Sequence, residues 1–289
     1  MLKTKFAYLY IAPVLILFCI FIFYPLIDTI SLSFYQWNGF DIEKIFVGIG
    51  NYLEMFQDPV FYISLRNFCI FALLVITIQM LVGFLLAYSM RKENRLYTIY
   101  KVLIFIPITI LPVVTSFVFS DILAYADGPI NSILRNIGLE DLALGWTSDT
   151  KIVLFTIIAI VIWSGVGFSM MVYSSALTTF PEEILESSLI DGANKRQIMT
   201  RIVWPVLIST HYSLTIIGLT SALKIFDIIY ILTRGGPDHA SEMLSTYLFS
   251  KAFRTYEQGF ASAIGTFMIV FVMILTIVQI RQSKRTENN

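Results

Sequence analysis

TFPEEILESSLIDGANKRQIMTRIVWP, residues 179–205, is a polar and patterned island between two apolar stretches of helix length. Pro181 suits the first turn of a helix, and Glu182 and Glu183 complement its positive end. Leu185 and Leu189 stand four apart and so share a helical face. Gly192 allows the left-handed or closely packed backbone at which a helix stops. A second short helix is predicted from about Asn194, with Ile198 and Ile202 on one face, and Pro205 leads into the next apolar run. Such a pair of amphipathic helices is too polar to cross a bilayer and too regular to be disordered. Two readings fit it: an interfacial helix lying on the headgroups, or a docking element whose apolar face enters the groove of a cytoplasmic partner.

Outward from this island, a helix rising 1.5 Å per residue needs roughly 20 apolar residues to cross a bilayer. Runs of that length predict six spans, near 7–27, 67–88, 102–123, 152–177, 206–228 and 261–280. Pro13, Pro25, Pro107, Pro112 and Pro205 lie in or beside them, a placement membrane helices tolerate. Lys3 and Lys5 precede a bulky apolar run with no small-residue cleavage pattern, so the first segment is expected to stay as a helix. With the N-terminus inside, the cytoplasmic face holds Lys3 and Lys5; Arg91, Lys92, Arg95 and Lys101; Lys195, Arg196 and Arg201; and Arg281, Lys284 and Arg285. The run Arg91-Lys92-Glu93-Asn94-Arg95 is the strongest marker, and it predicts that both termini are cytoplasmic. The expected organisation is a first helix with its external loop over 1–64, a core membrane domain over 65–281 containing the 179–205 loop, and a cytoplasmic tail over 282–289.

Composition agrees with lipid as solvent: 57% of the residues are hydrophobic and 14% charged, with mean hydropathy +0.76, against about a quarter charged in a soluble domain. Lys+Arg and Asp+Glu balance at 20 each, which leaves no net field to draw nucleic acid. Cys19 and Cys69 fall inside apolar runs and read as two small buried hydrophobes. His211 and His239 stand far apart without ligand-spaced neighbours, so no metal site is expected.

Glu186-Ser187-Ser188, then Gly192, then Ile202 and Pro205 reproduce a known spacing: Glu-Ala-Ala, three residues, Gly, nine residues, Ile-x-Leu-Pro. This resembles the EAA loop of binding-protein-dependent ABC importer permeases, with two serines for the alanines and Trp204 for the leucine. Further fragments resemble the sugar-type branch, that of the maltose and glycerol-phosphate permeases. They are Phe23-Tyr24-Pro25-Leu26 with Ser31-Leu32-Ser33-Phe34; Phe46 to Tyr52; Asp58-Pro59-Val60-Phe61 with Asn67; Phe226 to Thr233 with Gly235-Gly236-Pro237; and Gly259 to Ile264.

The resemblance implies an all-α membrane protein of the type I ABC importer permease fold, in a bacterial or archaeal cytoplasmic membrane. It implies a second homologous permease subunit, two copies of a cytoplasmic ATPase, an extracytoplasmic sugar-binding protein and a carbohydrate substrate moved by alternating access. ATP and Mg would be bound by the ATPase, since this chain has no Gly-x4-Gly-Lys-Ser/Thr loop. It also implies the docking reading for the loop, with Glu186 offering a carboxylate, Gly192 setting the angle between the short helices, Asp191 bracing the turn and Ala193 following it. By similarity to the maltose permease, the substrate path takes in Val161, Ser164, Gly165, Phe168, Gly218, Ala222 and Ile225, with Trp163, Ser221, Lys224 and Tyr230 as neighbouring candidates. Ser164 and Phe168 share a helical face, as do Gly218 and Ala222; small residues also serve plain helix packing, and both readings stand. Lys224 and Asp227, three apart, are expected to pair. Residues 229–250, with the Gly-Gly-Pro turn, are the expected receptor contact.

Rival classes are weaker. A secondary transporter would more often show twelve spans or an inverted repeat, and a membrane enzyme would need a catalytic constellation that the sequence lacks. A permease for amino acids or another non-sugar solute shares the EAA loop and is the nearest alternative.

Overall fold

The computed structural model describes residues 2–92 and 94–287. Glu93 of the basic run, and the end of the 282–289 tail, lie outside the described residues, as do the side chains of Lys3, Lys5, Glu182, Lys284 and Arg285. Among the described residues, five helices are long and apolar enough to cross a membrane: Tyr10–Leu32, Pro59–Ser89, Val153–Thr178, Ile208–Leu232 and Gln258–Arg281. A sixth candidate is the pair Arg95–Thr109 and Pro112–Ile122, bent by 95°. The straight span expected over 102–123 is therefore corrected. Pro112 disfavours the helical region for the residue before it, and Leu111 is extended with ψ 136°. Ile110 is extended as well, with ψ 130°.

Prolines act differently elsewhere. Pro25 and Pro205 each follow a widened π-helical stretch, Cys19–Phe23 and Ile198–Val203. In each the residue before proline donates five residues back, Tyr24 to the Cys19 carbonyl and Trp204 to the Met199 carbonyl. A π turn makes room for the proline ring against the preceding carbonyls, so the helix runs through each proline instead of ending at it. The fifth span breaks at Ile225 and Phe226 into Ile208–Lys224 and Asp227–Leu232.

The chain divides into two compact units, residues 1–62 with 247–271, and residues 63–246 with 272–289. Residues 247–271 thus group with the first helix and its loop. That unit also holds the one strand pair among the described residues, Tyr35–Gln36 antiparallel to Ile45–Phe46, a small departure from an all-α chain. Its loop is pinned by buried Asn51, whose Nδ2 donates to the Ser33 and Tyr35 carbonyls at 2.8 and 3.0 Å. Asp58 caps helix Pro59–Ser89 by accepting from the Val60 amide at 2.8 Å, and accepts from the Tyr247 hydroxyl. At Gly259 a Cβ would lie 1.9 Å from the Tyr35 carbonyl oxygen. Gly259→Ala is expected to cost about 1–3 kcal/mol through overpacking, read as a lower melting temperature of the detergent-solubilised chain.

In the second unit a core cluster forms around Phe84, Met170, Tyr173, Ile198, Val203 and Leu214. Buried Asn67 donates to the carbonyls of His239, Ala240 and Glu242 at 3.0–3.3 Å. Gly235, at φ +87°, lies where a Cβ would be 2.4 Å from a Glu242 carboxylate oxygen. The Gly-Gly-Pro turn is thereby fixed by groups far apart in sequence.

Both cysteines are free and exposed, which corrects the buried reading. They sit on apolar helices whose outer surface has lipid for solvent, so an apolar side chain need not turn inward.

Candidate functional site

Gly218 of the fifth span approaches the second span so closely that a Cβ would lie 2.7 Å from Ile76 Cγ1. Gly165 of the fourth span faces Gln79, whose Nε2 would be 2.3 Å from a Cβ there and donates to the Val161 carbonyl at 2.9 Å. Ser164 Oγ donates to the same carbonyl at 3.1 Å. Beside these contacts lies a cavity of about 350 Å³. It is lined by Val161, Ser164, Gly165, Phe168, Gly218, Ala222 and Ile225, every pathway residue that the resemblance implies, together with the neighbouring candidate Ser221. For the two glycines, lining and packing prove to be one property: the missing side chain brings the helices together and leaves space alongside.

Three neighbouring candidates differ from expectation. Trp163 is 45% exposed and packs edge-on against Phe119 at 5.3 Å, and Tyr230 stacks on Phe226 at 5.0 Å; neither lines the cavity. Lys224 and Asp227 do line it, but among the described residues they form no ion pair. The helix break between them removes the i,i+3 register that would have brought them together. Lys224 instead ends one helix and Asp227 begins the next, so each charge complements its own helix terminus.

Gln79 was missed by sequence reasoning. An amide in the apolar middle of its span, twelve residues past Asn67 at its start, was the available signal, because a polar group in lipid is costly without a partner.

The 179–205 loop folds as helix Glu182–Ile190, a turn, and a second helical stretch from Lys195 that continues through the π segment. Pro181 is the N-cap, one residue ahead of its expected place. Gly192 has φ +82°, its amide donates to the Leu189 carbonyl, and the Ala193 amide donates to the Ser188 carbonyl, at 3.1 and 3.0 Å. This is the Schellman pattern, with Asp191 as the C-cap, Gly192 in the left-handed position and Ala193 closing it. The Asp191 side chain makes no hydrogen bond or ion pair among the described residues, so the turn is braced by the backbone. Asn194 and Gln197 form a reciprocal capping box that starts the second stretch.

Leu185, Ala193 and Ile202 pack against the core cluster, and Ser188 and Ile198 are buried. Leu189 is 58% exposed and Ile190 86% exposed, correcting the face expected for Leu185 and Leu189. Four residues overshoot a full turn by about 40°, and the helix ends before the next turn could bring another residue inward. Glu183, Glu186, Ser187 and Asp191 are exposed with them, leaving an outer edge that is apolar and acidic.

Behind the loop, His211 is buried between two partners. Its Nδ1 is 2.7 Å from the Tyr173 hydroxyl and its Nε2 is 2.9 Å from the Trp204 carbonyl oxygen. With Nε2–H donating to the carbonyl and the tyrosine donating to Nδ1, a neutral imidazole satisfies both. This ties the end of the loop to the fourth and fifth spans. His211→Phe leaves a buried hydroxyl and a carbonyl without that partner, at a cost of about 1–3 kcal/mol; a lower melting temperature with unchanged membrane insertion is the expected outcome.

Helices of membrane length around a small cavity, with a polar loop anchored to the same core, suit a transport permease. The chain belongs to the family of binding-protein-dependent transport system inner membrane components, whose family model matches residues 79–288. It is 33% identical over 276 residues to the probable ABC transporter permease protein YurN of Bacillus subtilis, spanning 95% of this chain and 94% of that one. It is 28% identical to the multiple sugar-binding transport system permease protein MsmF of Streptococcus mutans, spanning 94% and 93%. The solved structure of a bacterial alginate ABC transporter in complex with alginate pentasaccharide-bound periplasmic protein matches with TM-score 0.85 at 22% identity, over 98% of this chain and 95% of that one. The last likeness speaks to the fold. This is a multi-pass membrane protein with the ABC importer permease fold.

Proposed function

We propose that this chain forms half of the path by which a carbohydrate, delivered by an extracytoplasmic binding protein, crosses the cytoplasmic membrane. The observation that carries the reading is the cavity at Val161, Ser164, Gly165, Phe168, Gly218, Ala222 and Ile225, the positions that the resemblance assigns to the path of a sugar permease. Its polar groups are hydroxyls and one amide, with Phe168 as an aromatic face, and its two charges stand at the helix break. Such a lining suits a neutral, hydroxyl-rich solute better than an ion. The name of the streptococcal relative supports the carbohydrate class.

A second permease subunit completes the path, and two ATPase subunits bind ATP and Mg and drive it. The 179–205 loop is the contact through which they act. Leu189 and Ile190 enter an ATPase groove and Glu186 meets a basic or hydrogen-bonding group there, while Gly192 holds the angle. The basic residues favour both termini on the ATPase side. The 229–250 segment receives the binding protein, so cross-linking at Asp238 to the loaded receptor is expected to succeed. Transport is alternating access, each state favoured by the differential binding of ATP and loaded receptor.

The test is stimulation of ATP hydrolysis in the reconstituted complex by its binding protein, offered a panel of carbohydrates and amino acids. Stimulation by one or more carbohydrates is expected. Stimulation by amino acids alone would move the chain to the non-sugar class.

A further inference from the structure

The chain between the 179–205 loop and the fifth span crosses a break. Pro205 brings no amide donor to the helix, and Leu207, at φ −83° and ψ 20°, ends helix Trp204–Val206 and opens helix Ile208–Lys224. The Leu207 amide is shared between the Val203 and Trp204 carbonyls at 3.3 and 3.2 Å, long for such bonds. A main chain that leaves the helix at one residue can absorb a rotation there. With that joint alone, the loop could swing without carrying the span.

His211 crosses the break with its side chain. Its Nε2 lies 2.9 Å from the Trp204 carbonyl oxygen, closer than the main-chain donor comes. Its ring packs on the Trp204 ring, with centroids 4.2 Å apart. Nδ1 is held by the Tyr173 hydroxyl at 2.7 Å, so the same imidazole joins the fourth span. Phe84 of the second span closes the group, edge-on to Trp204 at 4.8 Å and to Tyr173 at 5.6 Å. Phe84, Tyr173 and His211 are buried, and close-packed side chains transmit a displacement instead of absorbing it. His211 precedes Gly218 by about two turns, or about 10 Å of helix, and Tyr173 follows Phe168 by about 8 Å. Both Gly218 and Phe168 line the cavity of about 350 Å³. We propose that His211 is a positioning residue for transport, bridging the break at Leu207 so that rotation of the loop moves the fourth and fifth spans together. The inference rests on the loop being the ATPase contact, and not on which solute is carried.

The test uses the whole complex in vesicles, with Ser221→Cys as reporter in a Cys19→Ser, Cys69→Ser background and a membrane-impermeant maleimide as probe. In the otherwise wild-type chain, ATP is expected to change the labelling rate at the cavity. His211→Phe should keep ATP hydrolysis yet shrink that change by roughly fivefold or more, the equilibrium worth of one hydrogen bond. Tyr173→Phe, which removes only a hydroxyl, should shrink it too. The double variant should fall no further than His211→Phe alone, because both substitutions break one chain of contacts. Gly259→Ala, destabilised in the other unit, should keep the change in full, which separates positioning from plain loss of stability. An undiminished change in His211→Phe or in Tyr173→Phe, additive losses in the double variant, or an equal loss in Gly259→Ala would each overturn the role of His211. A reporter that ATP leaves unchanged in the wild-type background would overturn the loop's contact with the ATPase as well, so the two failures are distinguishable.

Discussion

Uptake by the reconstituted complex is expected to fall by about tenfold or more, an effect of ~1.4 kcal/mol, when Gly165 is replaced by valine. A Cβ at that position would stand 2.3 Å from Gln79 Nε2 and 3.1 Å from Gln79 Cδ. The amide is the far end of a flexible side chain, so it yields where a backbone would not, and the variant should still insert and assemble. Yielding means leaving the Val161 carbonyl and swinging into a cavity of about 350 Å³, which narrows the path from two sides. A double-mutant cycle checks the mechanism. Gln79→Ala removes the obstructed group, so Gly165→Ala should cost less uptake in that background than in wild type. Equal losses in both backgrounds would show that Gly165 acts through something other than Gln79.

The second large effect is at Gly192, where substitution by valine should leave the protein in the membrane and abolish uptake. Adding a Cβ there meets nothing within 4 Å, so the strain comes from φ +82°. A left-handed backbone costs an ordinary residue roughly 1–2 kcal/mol, and a β-branched one more. The Schellman turn would open, and helix Glu182–Ile190 would leave its angle to the stretch that begins at Lys195. Gly192→Asn separates backbone from bulk, because asparagine accepts this conformation. Uptake is expected to survive in the asparagine variant and fail in the valine variant, with ATP hydrolysis in the latter no longer stimulated by loaded receptor. Unchanged uptake in Gly192→Val would refute the loop's role.

Where the physics is local, it was legible in the sequence. Apolar runs placed the five membrane-length helices and the region of the bent pair, and Gly192 offered a stop that the structure realises in left-handed form. The seven pathway positions came from resemblance rather than from pattern, since a glycine lining a cavity and one at a helix contact look alike in sequence. Proline was read only as tolerated. Whether it bends a chain by 95°, as before Pro112, or merely widens one turn, as before Pro25 and Pro205, depends on whether the preceding residues leave the helix, which no single residue type dictates. The expected Lys224–Asp227 pair failed for a similar reason: spacing predicts proximity only while the helix continues. Gln79 escaped notice because its partner lies 82 positions away, on another helix.

The most direct test is solute accumulation in vesicles holding this chain with its co-encoded permease, ATPase and binding protein. We expect concentrative carbohydrate uptake that needs the ATPase, internal ATP and an intact 179–205 loop. Accumulation that proceeds equally well with the ATPase omitted would contradict the account.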